Sequence, residues 1–359
     1  MTHKNGISKS LLWDITRRCN LNCSHCYNSG NTSGMEDINI REEYQTIIHK
    51  IARFGINHIH ILGGEPFMAD GLFDLLSYAN SKGILITINT NGTLLSSSVI
   101  DKLIELNVSQ LTISLDGSTE QENDAIRGIG NFNTVIRNIG RTVSKITENN
   151  SDMIIQVATV ITKLNLKSIH KMPRVLRDLN VKYLNILKLY ECGNAISNED
   201  SLYISNEEYL MALQKLMIEA YRNGISLQID CKPKVLELLS LRFGFKVNLD
   251  SEFSGCNAGK KILYMDNRGD IYPCGPFSHI SNITDRRLRA NIFNTDCNDQ
   301  LTTLEESVRK RIQEFTLTEE VCKTCRFVSC CSGCAICYNG YDKLCETAMN
   351  LYSTKASLM

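Results

Sequence analysis

The sequence lacks the features of a membrane or secreted protein. Among its 359 residues there is no continuous apolar run of about 18, so no transmembrane helix is expected. The first residues, MTHKNGISKSLLWDITRRC, contain no apolar core of a signal peptide. We therefore expect a cytoplasmic protein with no membrane partner.

The sequence also has no formal net charge at pH 7, because 39 Lys and Arg balance 39 Asp and Glu. A protein that binds the phosphate backbone usually presents a basic face. The balance therefore argues against a nucleic-acid partner, although a local basic patch stays possible.

The sequence is rich in cysteine, with 15 in the chain. Three lie between Cys19 and Cys26, and the next is Cys192. In a long chain without a secretory signal, clustered thiols favour metal ligands over disulfides.

Short strand-like and longer helix-like segments alternate along most of the chain. The strand candidates are 11–16, 58–62, 84–90, 110–115, 153–161 and 183–190, and the helix candidates are 40–54, 70–82, 97–107, 134–148, 165–179 and 205–223. The alternation predicts an α/β fold with a parallel sheet covered by helices. Its period suits a partial (β/α)6 barrel of the TIM type, and a doubly wound open sheet is the alternative.

A domain boundary is predicted near residue 245. A further strand candidate, ISLQID, and a short helix precede it. After about residue 250 cysteine and turn residues dominate, so we expect a first domain over 1–245 and a small cysteine-rich domain over 246–359, held by metal.

Chemistry-bearing residues follow the strands on one rim. Cys19, Cys23 and Cys26 have the spacing C-x3-C-x2-C directly after the first strand. Three thiolates can hold three irons of a 4Fe–4S cluster, which leaves the fourth iron open to a small molecule. Zinc is the alternative, but its fourth ligand would have to be His25, which adjoins Cys26.

This pattern resembles the radical S-adenosylmethionine (SAM) enzymes. The resemblance rests on the cysteine loop, on Gly63-Gly64-Glu65-Pro66 after the second strand and on Ser114-Leu-Asp116-Gly117 after the fourth. It implies that SAM chelates the open iron. The reduced cluster then cleaves SAM to a 5′-deoxyadenosyl radical, which abstracts hydrogen from a C–H bond.

The resemblance also implies roles for single residues. Gly63, Gly64 and Glu65 would contact the amino group of SAM, while Ser114 and Asp116 would lie near its ribose and polar groups. Arg127 is similar to an arginine that pairs with a carboxylate near this site, but a solvated helix charge is an equal alternative. His25 would stack on adenine. Gly193-Asn194-Ala195 is similar to a Gly-Arg-Ala motif, and Asn194 departs from it.

The later cysteines resemble the SPASM extension, a domain that carries auxiliary clusters. Cys256 and Cys274 flank Gly269, and a group at 322–334 precedes Cys345. The resemblance implies two auxiliary 4Fe–4S clusters, one on Cys256, Cys274 and Cys334 and the other on Cys322, Cys325, Cys330 and Cys345. Cys331 could replace Cys330, Cys297 or Cys337 could complete the first set, and a zinc-held domain is the alternative.

Two further thiols, Cys192 and Cys231, follow strand candidates and could face the barrel mouth. A thiol there could donate a hydrogen atom to a substrate radical. Free cysteine is, however, more often a small buried apolar residue.

The leading functional hypothesis is modification of a ribosomally made peptide, by crosslinking, epimerisation or a similar step. The alternative is a small-molecule enzyme, either a sugar epimerase or a haem-pathway decarboxylase. An external electron donor such as flavodoxin or ferredoxin is expected. Only 18 residues precede Cys19, so a leader-binding partner would be a separate protein or another surface.

Overall fold

The structure is a computed structural model. It describes residues 9–29, 37–230, 233–243, 257–279, 285–314, 320–323, 325 and 343–352. Within these ranges no helix is both long and apolar enough to cross a bilayer.

Ten strands of the described chain form one sheet, in the order β10-β9-β8-β1-β2-β3-β4-β5-β6-β7. They are β1 Lys9–Asp14, β2 Ile56–Leu62, β3 Leu85–Thr90, β4 Gln110–Ser114, β5 Ile154–Val160, β6 Tyr183–Leu187, β7 Ser226–Ile229, β8 Ile262–Met265, β9 Asp270–Tyr272 and β10 Ala290–Asn291.

The helices lie mostly between these strands. They are α1 Ile40–Arg53, α2 Leu72–Ser81, α3 Ser97–Glu105, α4 Glu120–Arg127, α5 Asn131–Glu148, α6 Met172–Asp178, α7 Asn194–Ser197, α8 Glu199–Leu202, α9 Asn206–Asn223, α10 Pro233–Phe243, α11 Gly275–Ser278, α12 Cys297–Glu314, α13 Glu320–Lys323 and α14 Lys343–Tyr352.

The predicted α/β fold is confirmed. Strands β1 to β7 are all parallel and adjacent in chain order. A doubly wound sheet reverses its strand order at a switch point, and this sheet does not, so the partial barrel describes it better. The sheet stays open between β7 and β10 because the far side of β1 pairs with β8.

Two local predictions differ from the structure. Helix α4 was not expected, and the helix expected over 165–179 begins only at Met172, after a 3₁₀ turn at Ile169–Lys171. The side chain of Asn165 explains the late start, because its amide donates to the carbonyls of Asp116 and Val160 at 2.6 and 2.8 Å. These bonds hold residues 162–168 as a loop.

The two faces of the barrel sheet differ in chemistry. The face under the helices is apolar and buried, with side chains such as Trp13, Ile61 and Ile113 in one core with the helices. Directly paired residues of parallel strands point to the same face of the sheet. The strand register therefore shows which residues lie on the opposite, inner face. In β1 to β7 that face carries Ser10, Leu12, Asp14, His58, His60, Leu62, Leu85, Thr87, Asn89, Gln110, Thr112, Ser114, Ile154, Gln156, Ala158, Val160, Tyr183, Asn185, Leu187, Ser226 and Gln228.

Besides apolar side chains and the carboxyl group of Asp14 at the end of β1, the inner face holds neutral hydrogen-bonding groups. Gln156 links β4 to β7, since it accepts from Gln110 at 3.0 Å and donates to Gln228 at 3.1 Å. The rings of His58 and His60 lie 3.9 Å apart, and burial lowers the pKa of His60 to about 4. His60 is therefore uncharged at neutral pH.

The C-terminal strands extend the same sheet rather than forming a separate one. Strand β8 pairs in parallel with β1, and β9 returns antiparallel through a turn at Gly269. A Cβ atom at Gly269 would lie 2.6 Å from the side chain of Ile292, so the position requires glycine. The boundary near residue 245 lies outside the described residues and stays a prediction.

Candidate functional site

The three N-terminal cysteines lie on one loop, which follows β1 at the carboxyl edge of the sheet. Cys23 is buried, while Cys19 and Cys26 are half-buried. Burial raises the pKa of the Cys23 thiol to about 11; the Arg127 guanidinium opposes this rise, and the charges of Cys26 and Cys19 add to it. The three thiols are therefore close enough to influence one another.

The thiols are not arranged round a single ion. Within the described part of the chain, no three Cys, His, Asp or Glu side chains are placed to hold one metal ion. An iron–sulfur cluster instead takes each thiolate on a different iron.

Neighbouring segments hold the backbone of this cysteine loop. The amide of Ser24 donates to the carbonyl of Ile126 at 2.9 Å, which ties the loop to α4. The backbone N–H of Asn194 donates to the carbonyl of Cys26 at 2.8 Å, and its side chain donates to the carbonyl of Cys23 at 3.0 Å. Asn194, where the sequence departs from the expected arginine, is thus an anchor of the loop.

Gly193 permits this contact. A Cβ atom there would lie 2.3 Å from the carbonyl oxygen of Cys26, and the φ of Gly193 is +60°. Both the close approach and the left-handed backbone exclude a larger residue.

The Gly63-Gly64-Glu65 turn packs against the start of the same loop. The N–H groups of Gly64 and Glu65 donate to the carbonyls of Thr16 and Arg18 at 2.7 and 2.8 Å. A Cβ atom at Gly64 would lie 2.2 Å from the Arg18 carbonyl oxygen. The paired glycines therefore let the second strand end directly on the cysteine loop.

The side chain of Glu65 points into the protein and is fully buried. Its carboxyl accepts from the Thr90 hydroxyl at 2.8 Å and from the Asn91 N–H at 2.8 Å. Burial raises its pKa to about 7, against the lowering effect of these hydrogen bonds. Glu65 thereby joins the ends of β2 and β3.

Asp116 is the most heavily bonded carboxylate of the site and is also fully buried. Its Oδ2 lies 2.6 Å from Nε of Arg127 and 3.1 Å from Nε2 of His25, while its Oδ1 accepts from the Val160 N–H at 2.7 Å. Burial alone would raise its pKa, but the Arg127 guanidinium and His25 hold it well below its usual range. The structure thus pairs Arg127 with a carboxylate inside the protein. Ser114 lies two residues earlier, at the end of β4.

His25 offers a hydrogen-bonding atom without a partner. Its side chain is 8% exposed, and its Nδ1 has no hydrogen-bond partner among the described residues. Buried polar atoms are nearly always satisfied, so this nitrogen fits a polar group of a bound ligand. The expected stacking of His25 on adenine stays a prediction.

Four cysteines of the expected auxiliary sets lie within the described residues, namely Cys274, Cys322, Cys325 and Cys345. The N–H of Gly259 donates to the carbonyl of Pro273 at 3.0 Å, which brings the segment after Cys256 beside Cys274. Cys325 donates its N–H to the Cys322 carbonyl at 3.1 Å. Cys345, on α14, packs against the apolar core. Cys256, Cys330, Cys331, Cys334 and Cys337 lie outside the described residues.

Cys297, an alternative ligand of the first auxiliary cluster, is 2% exposed at the start of α12. Burial raises the pKa of its thiol, and the nearby Lys50 ammonium opposes the rise. Lys50 belongs to α1, so Cys297 lies on the helix-covered side of the sheet.

Of the two further thiols, Cys192 is half-buried after β6, next to Gly193. Burial raises its pKa to about 11, and the charge of Cys26 adds to the rise. Cys192 therefore lies near the cysteine loop and is protonated at neutral pH. Cys231 lies outside the described residues.

These features define the class: an α/β protein whose parallel strands present a loop with three cysteines at their carboxyl edge. Residues 13–176 match the family model of the radical SAM superfamily. This part of the chain therefore carries a radical SAM domain, and the radical SAM family uses a 4Fe–4S cluster and SAM.

Curated relatives span both activities that the sequence left open. The chain is 24% identical over 334 residues to an AdoMet-dependent heme synthase of Methanosarcina barkeri, covering 90% of each protein. It is 26% identical over 336 residues to the mycofactocin maturase MftC of Mycolicibacterium smegmatis, covering 90% of this chain and 77% of that one.

Among solved structures, Streptococcus suis SuiB has a similar fold. With SAM bound, SuiB superposes with a TM-score of 0.71 at 17% identity, covering 95% of this chain and 77% of SuiB. With its precursor peptide SuiA bound, the TM-score is 0.72.

The pKa of Glu65 predicts a pH-dependent stability. Because its pKa rises from 4.5 unfolded to about 7 folded, the folded state binds this proton more tightly. The stabilisation is fully present below pH 4.5 and is lost as the pH rises through about 7. At about 1.4 kcal/mol per pKa unit, the loss is about 3 kcal/mol.

In Glu65→Gln this dependence is removed. We expect the melting temperature of the variant to rise relative to the wild type between pH 5.5 and 8. Glu105→Gln, on the exposed face of α3, serves as control and should track the wild type at every pH. Parallel curves for the wild type and Glu65→Gln would contradict the raised pKa.

Proposed function

We propose that Cys19, Cys23 and Cys26 hold the cluster that binds SAM, and that the enzyme modifies a ribosomally made peptide. The choice of a peptide as substrate is based on the polar side chains of the inner face of the sheet. When bound, the reduced cluster supplies one electron that cleaves SAM into methionine and a 5′-deoxyadenosyl radical.

The site residues suit the polar groups of SAM. The amino group of SAM is a donor, and the N–H groups of Gly64 and Glu65 are already bonded within the chain. Carbonyl oxygens of the Gly63–Glu65 turn are therefore the proposed acceptors. The hydroxyl of Ser114 has no hydrogen-bond partner among the described residues and is proposed to face the SAM polar groups, with Asp116 holding His25 beside the nucleoside.

The inner face favours a neutral polar substrate. Along β1 to β7 its positions carry no lysine or arginine, and its histidines have lowered pKa values because they are buried. A porphyrin with several carboxylates would need cations to pair with. Peptide backbone and side-chain amides instead match Asn and Gln.

Two inner positions are suited to contact the substrate directly. Asn89 and Asn185 are half-buried, and their side chains have no hydrogen-bond partner among the described residues. Asn89 is the last residue but one of β3, and Asn185 is the central residue of β6. Each can donate to and accept from a peptide group.

The similarity to MftC and the SuiB structure with its precursor peptide support a peptide substrate. The heme synthase similarity supports the alternative, a haem-pathway enzyme. The proximity of the segments beside Cys256 and Cys274 supports an auxiliary cluster there, and the Cys322–Cys325 turn supports a second one. An external low-potential electron donor completes the proposal.

Iron content tests the cluster assignment. Three 4Fe–4S clusters predict about 12 irons per chain after anaerobic reconstitution. A Cys19→Ala, Cys23→Ala, Cys26→Ala variant should lose about 4 irons and all SAM cleavage. Ser97→Ala, exposed at the start of α3, is the control and should keep both the iron content and SAM cleavage. An unchanged iron count in the triple variant would refute the assignment.

Substrate choice is tested by mass spectrometry. The enzyme is incubated with SAM, dithionite and either iron coproporphyrin or each short peptide that a search of the neighbouring genes finds. We expect a mass change in the peptide only. Asn185→Leu should reduce peptide modification at least tenfold while uncoupled SAM cleavage persists, and Asn133→Leu, exposed on α5, should not. Decarboxylation of the porphyrin with an unchanged peptide would favour the haem-pathway alternative.

Cys192 is our candidate hydrogen-atom donor, because its protonated thiol lies near the cysteine loop. Its S–H hydrogen would pass to a substrate carbon radical, forming a C–H bond and leaving a thiyl radical. One electron from the external donor and one proton from solvent would restore the thiol. Cys231 is kept as the second candidate from the sequence.

Deuterium incorporation tests the donor. In D₂O the wild type should place one solvent deuterium in the product. Cys192→Ala should still release 5′-deoxyadenosine but lose this incorporation, and Cys231→Ala is measured beside it. If both variants keep full activity and the label, neither thiol is the donor.

A further inference from the structure

Two side chains direct N–H groups at the cysteine sulfurs. Nη1 of Arg127 lies 3.9 Å from Sγ of Cys23, and Nδ2 of Asn91 lies 3.8 Å from Sγ of Cys19. The backbone N–H of Leu21 also donates to Cys19, at 3.4 Å. Arg127 is 9% exposed and Asn91 is 7% exposed, so water competes little for these donors.

The orientation of Arg127 is fixed by a second buried group. Its Nε donates to Oδ2 of Asp116 at 2.6 Å, and Asp116 is fully buried. Because Asp116 also accepts from the Val160 N–H, the carboxylate cannot follow a moving guanidinium. The remaining edge of the guanidinium is therefore directed at Cys23.

The orientation of Asn91 is fixed in the same way. Its Oδ1 accepts from the Thr93 N–H at 2.9 Å and from the Thr93 hydroxyl at 2.6 Å. Since the oxygen must face these two donors, the NH₂ group faces the cysteine loop, where it donates to Asn20 and Cys19.

We propose that Arg127 and Asn91 set the reduction potential of the cluster held by Cys19, Cys23 and Cys26. The proposal rests on the cluster assignment made above. Reduction adds one negative charge to the cluster, which its sulfur ligands share. N–H groups and a buried cation beside those sulfurs stabilise the reduced state and raise the potential.

The two residues should differ in size of effect. Arg127 contributes a full positive charge as well as a hydrogen bond, whereas Asn91 contributes a neutral dipole. Asp116 forms ion-pair contacts with Arg127 and His25 among the described residues. When Arg127 is lost, His25 alone remains to offset the charge of Asp116. The net change at Cys23 is therefore a more negative environment.

Redox titration monitored by electron paramagnetic resonance tests the proposal. The signal of the SAM-binding cluster is the one that changes when SAM is added, and its midpoint potential is then measured without SAM. Measured this way, the potential is independent of any contact between Arg127 and SAM.

In Arg127→Gln we expect the reduced-to-oxidised ratio at a fixed solution potential to fall about tenfold, which is about 59 mV for a one-electron couple. Arg127→Lys should recover part of the shift because it keeps the charge. Asn91→Thr should shift the potential in the same direction by less. Arg137→Gln is the control, since Arg137 is exposed on α5 and its loss should leave the potential unchanged.

A potential equal to that of the wild type in both Arg127→Gln and Asn91→Thr, with iron content intact, would overturn the proposal. If Arg127→Gln fails to assemble its cluster, Arg127→Lys and Asn91→Thr decide the question by the same measurement. A wild-type protein without a SAM-responsive signal would instead refute the cluster assignment itself.

Discussion

The geometry of the site depends on backbone contacts that hold the cysteine loop, which has no regular secondary structure of its own. Its carbonyl and N–H groups are met by Asn194 after β6, by Ile126 at the end of α4 and by the paired glycines after β2. Each contact comes from the carboxyl edge of the sheet. The parallel sheet brings these anchors to one rim, and together they hold the loop that carries the three cysteines.

Two buried carboxyl groups on this rim show how the hydrogen-bonding and ion-pair partners of a carboxyl group determine its charge. Glu65 and Asp116 are both fully buried. Glu65 is met by a hydroxyl and by amide N–H groups, which do not offset desolvation, so its pKa rises to about 7. Asp116 is met by a guanidinium and an imidazole, so its pKa falls well below its usual range. Asp116 is thus negatively charged at neutral pH and can fix the position of Arg127. Glu65 links the ends of two strands and changes its protonation state near neutral pH.

Sequence periodicity predicted the first six strands, because each strand buries one complete apolar face, and six of the nine helices between β1 and β7. It also placed the chemistry-bearing residues at the strand ends. It could not show that Asn91 and Asn194 face the cysteine loop, since an asparagine after a strand equally well caps a turn. It also missed that β8 joins β1, because that pairing depends on contacts more than 240 residues apart, such as the one between Asp14 and Tyr264.

That last contact connects the cysteine loop to the C-terminal part of the described chain. Asp14, at the end of β1, is buried and accepts from Tyr27 at 2.9 Å, Asn28 at 2.6 Å and Tyr264 at 2.6 Å. Tyr27 and Asn28 directly follow Cys26, and Tyr264 lies on β8, whose neighbour β9 ends two residues before Cys274. Removing a hydrogen-bond donor from a buried carboxylate costs free energy, so Asp14 holds Tyr27, Asn28 and Tyr264 together. Asp14 therefore ties β8 to the residues that directly follow Cys26.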